Sequence, residues 1–425
     1  ENQSDCTAAL PRLKTLLISG GDERLLLNPE TGYNRYYCPP YPEDCQAAFG
    51  STTASAISRS SYDKLKQYRN HLLRQLPCLH STGLYEQEMQ QLRLSFLNTG
   101  EFETNSRPDL IFAASGTDAL YIAARLCASL NNQPLSILMI EPTESGRGVP
   151  DALKGQWGTH QPTLHSDSPP SSITRTNLPD VYAIPFRQPD GSLRNSQEID
   201  AGFVTLAEKA IAGNRRALIV LTDVSKTGGL APGLACCLKL AQQYPNNIHL
   251  LVDACQFRIS PQTLKAYLSH GFMIALTGSK FLTGPAFSGA LLIPDRLKER
   301  YRQGPFPEKL AGYGARGDWP ENWPWRSKLP ERANFGLLFR WTAALEEWKA
   351  FLELPHTSLV PFLFQFREAL LKRFHKDPLF ELLPVPDIHR QPLSIQDSWD
   401  SIQTIFPFRL YHNGPVPIHL SRHET

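Results

Sequence analysis

From Asp109 to Pro294 the chain alternates apolar runs of strand length with segments of helical periodicity, and no other feature constrains its fold as strongly. The strand-like runs are "LIFAAS" (110–115), "LSILMIE" (135–141), "DVYAIPF" (180–186), "ALIVLTD" (217–223), "IHLLVDA" (248–254), "FMIALTGS" (272–279) and "GALLIP" (289–294). Between them lie "TDALYIAARLCASL", "EIDAGFVTLAEKAIAG" and "LACCLKLAQQY", whose apolar positions recur at helical spacing. Strands that are apolar throughout and alternate with helices predict an α/β fold with a mostly parallel seven-stranded sheet covered on both faces. Ligands in such sheets bind at the carboxyl ends of the strands, so the polar residues just past each strand carry the functional information.

Around this core we expect three parts. Residues 1–85 read as an N-terminal arm with helices near 62–76 and 84–97, residues 86–300 as the large domain, and residues 301–425 as a small α+β C-terminal domain. The last part contains a Pro- and Trp-rich stretch, helices at 334–353 and near 360–374, and two short strands in "QTIFPFRLYHNGPVPIHL". Residues 162–178 are rich in Ser, Pro and Thr and read as an exposed loop. The start at Glu1 reads as trimmed, with no secretory leader, and the end at Thr425 as short of a final helix.

Composition removes several function classes. The net charge is +2 with no cluster of Lys and Arg, so no electrostatic footprint for nucleic acid or an anionic membrane is present. No apolar run reaches the roughly 18 residues of a membrane span. The eight cysteines are scattered without a CxxC pair, which suits idle thiols in the cytoplasm better than a disulfide framework or a zinc site.

Three strand ends carry chemistry. "ASGTDAL" places Ser115, Gly116 and Thr117 at a strand-to-helix turn, where free backbone N–H groups attract a phosphate. Such a turn also caps many helices that bind nothing. "LLVDACQ" ends a buried strand with Asp253, a carboxylate that needs a cationic or N–H partner. A protonated pyridine nitrogen is one such partner, and the pairing makes the ring an electron sink; a helix N-cap is the ordinary alternative. "LTGSKF" ends the next strand with Thr277, Gly278, Ser279 and Lys280, and a partly buried lysine is a usable nucleophile. No common structural requirement produces all three together.

The order of these motifs resembles the fold-type-I pyridoxal-phosphate enzymes, in particular the class V aminotransferase and cysteine desulfurase group. "VDACQ" matches the group's Asp-Ala-x-Gln, "TGSKFLTGPAFSGALLI" resembles its Ser-x-His-Lys-Phe-x-Gly-Pro segment, and "LTDVSKTGGLAPG" resembles its Asn-Glu-Thr-Gly strand end. The similarity spans roughly 109–294. It implies an aspartate-aminotransferase-like large domain and a Schiff base between pyridoxal 5′-phosphate and Lys280. It places the ring nitrogen on Asp253, the phenolic oxygen near Gln256, and the phosphate on Gly116, Thr117 and Ser279, with Ser115 and Thr277 beside it. It further implies a homodimer with shared active sites and a small-molecule amino substrate; the segment 319–325 offers tryptophans for the subunit contact.

Departures from the family pattern are specific. Ser145 stands where the group carries the histidine that stacks on the ring, Ser225 where it carries Asn, and Lys226 where it carries Glu. No cysteine follows Cys255, so a desulfurase passing sulfur to its own thiol is not expected. For the substrate carboxylate the resemblance implies an arginine of the C-terminal part: Arg332, Arg409 or, by its placing beside a short strand, Arg422. The expected activity is aminotransferase-like. The alternatives are a lyase (C–S or other β-elimination, decarboxylation) or an epimerase; a non-catalytic relative is disfavoured because Lys280 and Asp253 are both present.

Overall fold

A computed structural model describes residues 10–43, 50, 52–53, 55–76, 80–156, 178–393, 398–412 and 418–419. The arm contributes α1 (Leu13–Leu17), α2 (Arg59–Gln75) and α3 (Ser81–Thr99). The central region follows as β1 (Asp109–Ala113), α4 (Gly116–Ser129), β2 (Leu135–Ile140), α5 (Pro142–Ser145), α6 (Val149–Lys154), β3 (Asp180–Ile184), α7 (Ser196–Ala212), β4 (Arg216–Thr222), α8 (Leu234–Gln243), β5 (Ile248–Ala254), α9 (Pro261–Ser269), β6 (Met273–Thr277) and β7 (Gly289–Ile293). The chain continues with α10 (Asp295–Arg302), α11 (Phe335–Leu352), α12 (His356–Lys376), β8 (Phe380–Leu382), β9 (Phe408–His412) and β10 (Ile418–His419).

The seven strands expected from the sequence form one sheet in the order β1-β7-β6-β5-β4-β2-β3, and β8 to β10 form a small second sheet. The large sheet is mostly parallel; β7 runs antiparallel to both its neighbours. Because side chains alternate along a strand, each strand feeds two cores. Phe112, Ile219 and Val252 pack on one face with α3, α7, α8, α9 and α11. Ile111, Val220 and Leu251 pack on the other with α4 and α6. The edge strand β3 departs from the expectation of apolar burial, since Tyr182 and its neighbours are largely exposed.

Apolar packing crosses both expected part boundaries, at 85 and at 300. Leu13, Leu65, Leu84 and Leu337 to Trp348 belong to the same core as the sheet. The tryptophans at 319, 323 and 325 are buried within the chain at 1%, 2% and 5% exposure and pack edge-on or tilted against one another. Trp323 Nε1 donates to Asp109 at 2.7 Å, and Asp109 also takes a two-pronged pair from Arg302 at 2.8 and 3.0 Å. This segment is therefore core, and the subunit contact proposed for it has no exposed indole to use. The loop expected at 162–178 lies outside the described residues except for its last position.

One buried histidine on the central sheet is expected to make stability depend on pH. His249 on β5 sits between Tyr301 Oη and Arg216, each at 3.4 Å. Burial, reinforced by Arg300 and Arg216, pushes its pKa down to about 3. The unfolded chain takes up this proton below about pH 6.5 and the folded chain does not, so the contribution to stability falls as pH falls. The stability difference between wild type and His249→Gln should shift by about 1.4 kcal/mol per pH unit between pH 6 and 4, in favour of the variant. Urea melts at each pH measure it, and a difference independent of pH would show that His249 is charged in the fold.

Candidate active site

The carboxyl ends of β1, β2, β4, β5 and β6 open on one edge of the sheet, and a cavity of about 540 Å³ lies over them. Its walls include Ser115, Gly116 and Thr117 after β1, Ser145 and Arg147 after β2, Lys226 after β4, Asp253 and Cys255 at the end of β5, and Thr277, Ser279 and Lys280 at the end of β6. The structure thus brings together eight of the expected site residues: Ser115, Gly116, Thr117, Ser145, Asp253, Thr277, Ser279 and Lys280.

Local sequence explains each placement. Ser115 is extended and caps α4, accepting from Asp118 N at 3.2 Å. Its own hydroxyl proton goes to Asp118 Oδ2 at 2.6 Å, so toward the cavity the turn offers its backbone N–H groups and Thr117 rather than the Ser115 hydroxyl. Only glycine fits at 116: a Cβ there would lie 2.7 Å from Cys255 Sγ. Asp253 pairs with Thr222 and Ala275 in the neighbouring strands and is 6% exposed. Lys280 leaves β6 through Gly278, whose N–H donates to Ser288 O at 2.8 Å.

A row of hydroxyls lines the floor beside Lys280. Thr277 Oγ1 lies 2.9 Å from Ser279 Oγ, and Ser279 Oγ lies 3.1 Å from Thr53 Oγ1. Thr53 belongs to the small-residue stretch 50–55 of the arm, of which positions 51 and 54 lie outside the described residues. The arm also supplies Arg24, Arg35 and Tyr36 to the cavity. Arg24 holds Asp22 two-pronged at 2.9 and 2.6 Å and lies 4.8 Å above the Phe287 ring.

Two expected contacts are made differently. Ser225 does not line the cavity: it is buried, it donates to Glu144, and it accepts from Gly229 N at 3.0 Å. Glu144 spends the hydroxyl before any ligand arrives, and the neighbouring Lys226 faces the cavity in its place. Arg332 is exposed and away from the cavity, because the turn after Pro330 leads it outward before α11 begins. Arg409 on β9 is committed to Asp190 O at 2.6 Å and to Glu381. Arg422 lies outside the described residues. Sequence reasoning missed Lys226 and Arg147 as cavity residues, and Arg24 and Arg35 of the arm; the small-residue stretch 50–55 reads from sequence as a plain loop or a lining of the substrate mouth, and its Thr52 and Thr53 do line the cavity.

The electrostatics separate the groups. Burial, then Lys280 and Arg147, lower the Lys226 pKa. Burial, with Asp253 beside it, drives the Cys255 thiol well above its ordinary value, so this cysteine lines the cavity as a neutral group.

The residues fit pyridoxal phosphate on two observations. Gln256, which is not itself part of the cavity wall, is 3% exposed, and among the described residues neither its amide oxygen nor its nitrogen has a hydrogen-bond partner, an arrangement that costs free energy until a polar group arrives. Ser145 Oγ, on the wall, is likewise buried without a partner. The glycine-floored N-terminus of α4, facing the hydroxyls of Thr277, Ser279 and Thr53, suits a phosphate.

No protein-family profile and no curated protein matches the sequence. Solved structures do match in shape. A cystine C–S lyase bound to its product cysteine persulfide superposes with a TM-score of 0.52 at 16% identity, covering 84% of this chain and 82% of its own. A variant of that lyase with glycine covalently linked to its pyridoxal-phosphate cofactor gives 0.52 at 15% identity, covering 81% of each chain. A NifS-like protein gives 0.52 at 12% identity, covering 80% of this chain and 77% of its own. The shared architecture shows that this chain has the aspartate-aminotransferase-like α/β fold.

Proposed function

We propose that this chain is a pyridoxal-phosphate-dependent enzyme that acts on an amino substrate through Lys280, with aminotransferase-like chemistry. The observation that supports it best is the convergence of Lys280, Asp253 and the α4 N-terminus on one cavity, together with the buried, unbonded amide of Gln256 three residues beyond Asp253. The cofactor, when bound, supplies an electron sink for a carbanion at the substrate's α-carbon. With the cofactor bound, Asp253 would keep its ring nitrogen protonated. Gly116, Thr117, Thr277 and Ser279 would hold its phosphate, and Gln256 would serve its phenolic oxygen. Lys280 Nζ would carry the α-proton of the substrate. A lyase is the second reading, favoured by the likeness to the cystine C–S lyase. The proposal carries with it a homodimer and a cytoplasmic location; among the described residues no helix is long and apolar enough to cross a membrane.

The test is a visible spectrum of protein reconstituted with pyridoxal phosphate, wild type beside Lys280→Ala. A yellow band in the wild type alone, fixed to Lys280 by borohydride reduction and peptide mass, supports the assignment. A colourless wild type overturns it. With amino acids added, conversion of the band to the amine form with release of a keto acid marks transamination. A persisting band with product release marks a lyase.

A further inference from the structure

The resemblance implies an arginine of the C-terminal part to hold the substrate carboxylate; Arg422 lies outside the described residues, and of those described neither Arg332 nor Arg409 lines the cavity. Besides Lys280, the cations on the cavity wall are Arg24 and Arg35 of the arm, with Arg24 held by Asp22, and a further two on loops that the sheet sets side by side. Lys226 follows β4 and Arg147 follows β2, which are neighbouring strands.

Glu144 bolts the two loops together. Its carboxylate accepts from Ser225 Oγ, and from Thr227 Oγ1 at 2.6 Å, and it lies 3.4 Å from Arg187. Its carbonyl accepts from Lys226 N at 3.0 Å. The backbone under Lys226 is therefore fixed to α5, and Arg147 follows α5 directly. Burial, then Lys280 and Arg147 as like charges, lower the Lys226 pKa, and the carboxylates of Asp253 and Glu144 offset this only in part. Cations gathered in this way on a partly buried wall are stabilised by an anion between them.

That anion is not the cofactor's phosphate. Thr277 and Ser279 leave β6, two strands from β4, and strand spacing puts the two positions roughly 10 Å apart. Asp253 on β5 lies between them, so Lys226 and Arg147 stand on the far side of the ring nitrogen's partner from the phosphate turn.

We propose, resting on the functional reading above, that Lys226 and Arg147 are the specificity-determining pair that binds the carboxylate of an amino-acid substrate. They do this in place of an arginine from the C-terminal part. A departure from the family pattern, Lys for Glu at 226, then has a purpose: it brings the cation to the cavity from the strand-end loop.

The experiment compares amino acids with their decarboxylated amines: alanine with ethylamine, glutamate with 4-aminobutyrate, phenylalanine with phenethylamine. Each is titrated into the cofactor-loaded protein, and affinity is read from the shift of the visible band. Wild type is expected to prefer the amino acid in at least one pair. Lys226→Met and Arg147→Met should each lower that preference by at least roughly 10-fold, through weaker amino-acid binding with amine binding unchanged. Lys226→Arg should keep most of it. The band itself should remain in every variant, since Lys280 is intact. A preference that survives in both Met variants overturns the proposal and returns the carboxylate to the C-terminal part. A loaded wild type that shows no preference for any amino acid also overturns it. Absence of the band from the wild type is a different result, which overturns the cofactor reading itself.

Discussion

Lys280→Ala is expected to lower turnover by about 10⁴-fold or more while leaving the fold and much of the cofactor affinity in place. Lys280 sits at the one position where β6 delivers an amine into the cavity beside Asp253. On the proposed function, its removal would take away both the covalent anchor and the group that moves the α-proton. General acid–base catalysis by a positioned side chain accounts for about 10²–10⁴-fold on its own, and loss of the nucleophile adds to it. The α4 turn, Thr277, Ser279 and Gln256, proposed above to hold the cofactor, are untouched by the substitution, so pyridoxal phosphate should still bind, without the lysine-bound band. Single-turnover kinetics with an added amine as chemical rescue separates the two roles. Turnover within tenfold of wild type would remove Lys280 from the mechanism.

The second large effect is on stability. Arg390 is expected to cost about 3–5 kcal/mol when replaced by Met, because Asp223 is then left as a buried charge. Arg390 reaches from the segment after β8 to Asp223 at the end of β4, with Nε and Nη2 each 2.7 Å from a carboxylate oxygen. Tyr267 Oη donates to the same carboxylate at 2.8 Å, and Arg390 Nη1 donates to Asp400 O at 2.8 Å. Asp400 in turn accepts from Ser260 N and Thr263 Oγ1 at 2.6 and 2.7 Å. The pair fastens the C-terminal segment to the loop that carries Lys226. Adding Asp223→Asn to Arg390→Met should recover part of the loss, since it removes the unpaired charge. A urea midpoint unchanged by Arg390→Met would show that the pair is dispensable.

Most of the central fold was legible because its signal is local. A parallel strand covered on both faces is apolar along its whole length, and "ALIVLTD" and "IHLLVDA" announce β4 and β5 within a residue or two. Where burial was not local, the reading failed. β3 has the composition of a buried strand but lies at the sheet edge, and α9, with Pro261 at its start and mixed polarity, was passed over. From sequence the tryptophans at 319–325 suit a subunit contact and a core equally. Asp109 and Arg302, far away in sequence, turn them into core.

The site divides in the same way. Asp253, Lys280 and the Ser115–Thr117 turn follow from strand ends and turn chemistry, which neighbouring residues determine. The sequence by itself therefore determined the sheet, the edge that bears the cavity, and the residues suited to a phosphate, a ring nitrogen and a nucleophilic amine. Tertiary structure alone decided what surrounds them. It spent Ser225 on Glu144, brought Thr53 to within 3.1 Å of Ser279 across 226 positions of chain, sent Arg332 outward, and aimed Lys226 and Arg147 at one space. The physical reason is that a hydrogen bond or an ion pair is selected by position in space, and no periodicity in the chain records which distant group will stand opposite.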